Sequence, residues 1–128
     1  MGDPAVNTVA WFEVASDDPA AVERFYGELF GWRFQADGES ADGGMDYRLI
    51  SFPGDDRPRG GISGTGGERP GHAVFTVLVA DVAATCEKAE AMGGTVEGKV
   101  VGNAYGPDFA YVRDASGNLF GIFAEADD

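Results

Sequence analysis

Two stretches, Val9 to Ala15 and Ala73 to Val79, are short runs rich in strand-forming residues. Each is followed by an aspartate and then by a helical stretch. After the first run Asp18 stands directly before Pro19, the order of an N-cap followed by proline at the first helical position. Val22, Phe25, Tyr26 and Leu29 then recur at the spacing of one helix face, and Gly31 lies where a glycine would stop the helix. After the second run Asp81 is placed to cap a helix reaching about Met92, ended by Gly93 and Gly94. Strand candidates follow each helix: Trp32 to Gln35, Tyr47 to Phe52 and Gly60 to Ser63, then Thr95 to Val101, Asp108 to Arg113 and Asn118 to Ala124. Turn-rich linkers separate them, from Asp37-Gly38 through Gly43-Gly44, at Gly54 to Asp56, and from Gly64 to Gly71. Each half therefore reads βαβββ. The expected layout is a single domain over residues 1–128, with module 1 at about 7–63 and module 2 at about 71–125.

The two halves also match in sequence. Shifting the chain against itself by 63 positions aligns Ala10 with Ala73, Phe12 with Phe75, Val14 with Val77, Asp18 with Asp81, Ala20 with Ala83, Ala21 with Ala84 and Gly31 with Gly94. Chance would give about one or two such identities over this stretch. Side chains alternate across a strand, so the matched residues on the opening strands share one face. That face is expected to pack on the helices. The other parity differs between the halves: Val9, Trp11 and Glu13 against His72, Val74 and Thr76. A ligand is expected on this second, diverged face.

Composition changes the picture mainly by exclusion. Of 128 residues, 44% are hydrophobic and 24% charged, which suits a globular domain and not a disordered chain. Twenty-two acidic residues against nine basic ones give a net charge of −13. Such a field repels phosphate backbones and anionic lipid, so neither nucleic acid nor a membrane is an expected partner. No apolar run approaches the roughly 20 residues of a membrane span, and the N-terminus lacks the basic start and apolar stretch of a signal peptide. The single cysteine, Cys86, excludes an internal disulfide framework and fits a reducing, cytoplasmic setting.

Three segments carry a family resemblance. Val9-Ala-Trp-Phe-Glu-Val followed by Asp18-Pro-Ala-Ala-Val-Glu-Arg-Phe-Tyr-Gly-Glu-Leu-Phe-Gly-Trp32 resembles the opening of a glyoxalase-like protein of the vicinal oxygen chelate superfamily. Asp81-Val-Ala-Ala with Met92-Gly-Gly resembles the second module of that family, and Asp114-Ala-Ser-Gly-Asn-Leu-Phe-Gly-Ile-Phe123 its closing turn and strand. The resemblance spans about Asn7 to Glu125. It implies an α+β fold of two tandem βαβββ modules, with curved mixed sheets around a cavity often completed across a homodimer. It implies little about reaction, because glyoxalases, extradiol dioxygenases, epimerases, fosfomycin-modifying enzymes and metal-free drug-binding proteins share the fold.

The resemblance also implies where a metal would be held, by His, Glu or Gln at four places. Two lie on the opening strands, seven residues before each capping aspartate, which here are Trp11 and Val74. The other two lie on the closing strands, at Gly61 and Gly121. Tryptophan, valine and two glycines supply no side-chain ligand, so neither the family metal nor any other cofactor is expected. Glycine at 61 and 121 would also open space for a larger, flatter molecule.

The remaining chemistry is sparse. His72 is the only histidine and its plainer role is a strand-edge residue; Cys86 reads as a packing residue within a helix. An inward Glu13 needs a partner, expected from Arg48, Arg59 or Arg113 or from a ligand hydroxyl or amine. Gly60 to Gly67 lacks the lysine and the strand-to-helix setting of a phosphate loop. Glu13 and His72 are weak candidates for general acid or base. The candidate ligand-binding set is Trp11, Glu13, Trp32, Tyr47, His72, Val74, Tyr105, Phe109, Tyr111 and Phe123. The expectation is a homodimeric protein that binds a small organic molecule without the family metal. The alternatives are a lyase, isomerase or dioxygenase type of enzyme using Glu13 and His72 or a noncanonical metal, and a structural or regulatory protein with a vestigial cavity.

Overall fold

The structure is a computed structural model that describes residues 5–37, 46–102 and 107–125. These residues form eight strands and two helices in the order β1 (Thr8–Ser16), α1 (Pro19–Phe30), β2 (Arg33–Ala36), β3 (Tyr47–Ser51), β4 (Gly60–Gly64), β5 (His72–Leu78), α2 (Val82–Ala91), β6 (Thr95–Val100), β7 (Asp108–Arg113) and β8 (Leu119–Ala124). The βαβββ order expected from the repeat occurs twice, in an α+β fold. Contacts divide the chain into two compact units, Trp11–Ala73 and a second made of Met1–Ala10 with Val74–Asp128.

In the first unit β1 runs parallel to β4, with Glu13 beside Gly61, while β3 and β2 continue the sheet antiparallel. Asp18 caps α1, its side chain accepting the Ala21 N–H, and Pro19 opens the helix. Gly31 ends it at φ 74°, a left-handed conformation that glycine adopts without steric cost. One face of this sheet meets the helix. Phe12, Trp32 and Phe52 cluster there, and Tyr26 of α1 stacks on Trp32 with ring centroids 5.1 Å apart. Ile50 and Ile62 on the same face are fully buried.

The apolar face read from the sequence of α1 is only partly used. Tyr26 packs, but Phe25 and Leu29 are 60% and 57% exposed, and α1 has no fully buried residue. The aromatic cluster draws the helix down on its Tyr26 side, and Phe25, one residue earlier, is rotated about 100° away.

The second unit repeats the arrangement. β5 runs parallel to β8, and β7 and β6 follow antiparallel. Asp81 caps α2 through the Ala84 N–H. Val82 and Cys86 of α2 form a buried cluster with Val79, Ala110, Val112 and Ile122, against which Val77 and Phe120 pack. Cys86 is a buried packing residue, and desolvation pushes its thiol pKa up. Of the matched residues on the opening strands, Phe12 and Val77 belong to the helix-packed face, whereas Phe75 is 50% exposed.

Candidate functional site

In the first unit one strand face carries Trp11, Glu13 and Tyr47, and His72 of the same unit meets Glu13 there. Strand parity decides this. Trp11 and Glu13 alternate with Phe12 on β1, and the register of β1, β4 and β3 puts Gly61, Ser63 and Tyr47 on the same side as Glu13. The opening residue of β5 adds His72.

Glu13 is buried, with 8% of its surface exposed. Its Oε1 lies 2.8 Å from His72 Nε2, and both side chains are close to nine-tenths covered. The carboxylate thus has an imidazole partner in place of the arginines expected from the sequence. Arg48 is engaged by Glu23 and Asp46, Arg59 by Asp55, and Arg113 by Glu97. Those arginines sit where local acids pair them first. His72 is correspondingly more than a partly exposed strand-edge residue.

Tyr47 provides the second feature. Its ring lies over Gly61, where an added Cβ would meet ring carbons and the hydroxyl oxygen well inside contact distance. Trp11 Nε1 donates to Tyr47 Oη at 3.0 Å. The space that glycine at 61 was expected to open is therefore taken by the chain's own phenol. At Gly121 the room is limited too, since an added Cβ would stand 3.0 Å from Thr76 Oγ1.

The other candidates divide. In the second unit Val74, Phe109, Tyr111 and Phe123 share the strand face turned away from α2, and the Phe109 and Tyr111 rings meet edge-on at 5.8 Å. Trp32 is placed elsewhere: it belongs to the helix-packed aromatic cluster, on the opposite face of the sheet from Glu13. It follows the α1 terminus directly, which ties its ring to Tyr26 and Phe30. Tyr105 lies outside the described residues.

The residues at the four implied ligand positions do not fit a metal. Trp11, Val74, Gly61 and Gly121 present no donor atom of the required kind, and the Tyr47 ring fills the place a side chain at 61 would need. Among the described residues no group of three or more His, Cys, Asp or Glu side chains is placed to hold a metal ion. What the arrangement can do is present a buried carboxylate–imidazole pair beside a hydrogen-bonded phenol.

The comparisons with known proteins agree on the fold. The sequence model of the Glyoxalase/Bleomycin resistance protein/Dioxygenase superfamily matches residues 8–122. A glyoxylase-like domain-containing protein of Didymella fabae is 28% identical over 116 residues, covering 89% of this chain and 91% of its own. Methylmalonyl-CoA epimerase from Mycobacterium tuberculosis superposes with a TM-score of 0.61 at 17% identity, over 99% of this chain and 93% of that one. A Streptomyces coelicolor methylmalonyl-CoA epimerase in complex with 2-nitronate-propionyl-CoA gives 0.63 at 14% identity, covering 96% of this chain and all of the other.

Proposed function

The chain belongs to the glyoxalase/bleomycin resistance protein/dioxygenase superfamily, and on that premise we propose that it binds a small organic molecule without the family's metal. The observation that carries the reading is the Tyr47 phenol over Gly61, held by the Trp11 indole, on the face that also bears Glu13. Where an ion-binding carboxylate would project, this chain has a neutral hydrogen-bonding group beside a buried acid. A tryptophan, a tyrosine and a few polar atoms are the usual lining of a small-molecule site. In the second unit Val74, Phe109, Tyr111 and Phe123 form an apolar face of that unit's own.

The working form we propose is a homodimer of one two-module domain in the cytoplasm. The family resemblance supports the dimer, and the lone buried Cys86 suits a reducing compartment. Mass spectrometry of small molecules that co-purify with the protein tests the reading, together with dialysis against a chelator. An organic molecule retained through dialysis, with fold and retention unchanged, is the expected result. Loss of either on chelation would overturn the metal-free claim.

A second reading is favoured by one distance, the 2.8 Å between Glu13 Oε1 and His72 Nε2. A buried carboxylate oriented by an imidazole is a competent general base. On this reading the protein is an enzyme in which Glu13 accepts a proton and His72 orients it. Full turnover by both Glu13→Ala and His72→Ala on an identified substrate would sink it.

A further inference from the structure

Helix α1 leaves an apolar ridge uncovered. Phe25, Leu29 and Phe30 are 60%, 57% and 52% exposed, while Tyr26 turns inward onto Trp32. At about 100° per residue, Ala21, Phe25 and Leu29 follow one another along the solvent side of the helix. Adjoining exposed side chains of this size mark an interaction surface.

The charges beside the ridge say what covers it. Arg24 and Glu28 are both exposed and lie on one flank, about 100° and 60° round from Phe25 and away from Tyr26. Among the described residues neither forms an ion pair, whereas Glu23, toward the packed side, is held by Arg48 at 3.0 Å. Within α1 the base precedes the acid, the weaker order for a pair four residues apart.

We infer that the α1 ridge is the self-association surface of this chain and meets α1 of a second copy in antiparallel orientation. This deepens the homodimer reading above and rests on it. A twofold axis crossing the helices at the level of Tyr26 sets Arg24 of each copy level with Glu28 of the other, so one operation makes both ion pairs. At about 1.5 Å per residue, Phe25 then lies about 3 Å along the helix from both Phe25 and Leu29 of the second copy, and enters the gap between them. An antiparallel pair brings like flanks together. A parallel pair would oppose this flank to the Tyr26 side and match neither charge. Net charge also selects the occupant. With 22 acidic and 9 basic residues the chain as a whole repels its own copy, but this flank carries one charge of each sign. An anionic membrane, another acceptor of apolar helix faces, is repelled by the net charge of −13.

Sedimentation velocity of the full chain over about 1–200 μM, at about 0.15 M ionic strength, reads the dimer dissociation constant. The wild type is expected to dimerise within that range. Arg24→Glu turns both attractions into repulsions and should weaken the dimer about tenfold, and Glu28→Arg should do the same. Joined in one protein, the two substitutions rebuild the pairs with their signs exchanged, and affinity should return to within about threefold of the wild type. Phe25→Ser should give a monomer that is still folded by near-UV circular dichroism, because the exposed ring is not needed to fold one chain. A double variant as weak as the singles, or singles as tight as the wild type, would overturn the α1 contact and leave the homodimer reading standing. A wild-type chain that stays monomeric throughout would leave α1 to a different partner and overturn both.

Discussion

Glu13 and His72 lie 59 residues apart in sequence, yet His72 Nε2 stands 2.8 Å from Glu13 Oε1 in a setting almost closed to solvent. Glu13 lies on β1 and His72 opens β5, and both belong to the same compact unit. An acid placed on a buried sheet face requires such a partner, because desolvating a carboxylate without hydrogen bonds is costly.

His72→Ala should therefore destabilise more than Glu13→Gln. The first removes a partner from a buried carboxylate, at a cost of about 1–3 kcal/mol. The second keeps the side chain's shape and an oxygen that accepts from Nε2, so its cost should be smaller. Urea unfolding of the two variants beside the wild type measures the order, and a His72→Ala protein of unchanged stability would show that the pair contributes nothing to folding.

Gly61→Ala places a methyl group in the space of the Tyr47 ring. Overpacking of this kind costs about 1–3 kcal/mol. Combining it with Tyr47→Ala should restore part of the loss, because the clash disappears with the ring. A double-mutant cycle in denaturant reads the coupling. Additive costs would mean that the phenol does not rest on Gly61.

Asp114 gives a pH prediction. Hydrogen bonds from the Asn118 backbone N–H and side chain, and from the backbone of Ser116, hold its carboxyl below the ordinary aspartate value of 3.8. A depressed folded-state pKa favours the folded chain above the unfolded value, and that contribution disappears as pH falls through the folded one. The wild type should be more stable than Asp114→Ala at neutral pH, with the charge-dependent part of the gap closing below about pH 3.8. Thermal unfolding between pH 3 and 7 measures it; a gap that widens toward acid would contradict the assignment.

Phe25 and Leu29 should be replaceable. Both are more than half exposed on α1, so Phe25→Ser and Leu29→Ser should each change folding stability by no more than about 0.5 kcal/mol. Tyr26→Ser, which removes a ring stacked on Trp32, should cost several times more. Equal losses for all three would mean that the whole apolar stripe is packed.

How much was legible in the sequence follows from the range of each signal. The capped helices and the succession of strands are set by neighbours a few residues apart, and Asp18-Pro19 and Asp81 begin α1 and α2 as expected. Parity along the opening strands likewise separated the helix-packed side, with Phe12, from the side bearing Trp11 and Glu13. Trp32 had no such guide. It follows a glycine terminus and precedes β2, where periodicity does not assign a face, and only the rings of Tyr26, Phe12 and Phe52 decide it.

The chain's own order of residues determined the two βαβββ modules and the face on which diverged side chains gather, because helix and strand periods are local properties. Tertiary structure alone decided that Glu13 meets His72 and that Tyr47 closes over Gly61 beneath the Trp11 bond. Partners across strands depend on register and on the reach of each side chain once neighbouring backbones are in place, and no spacing along the chain encodes that.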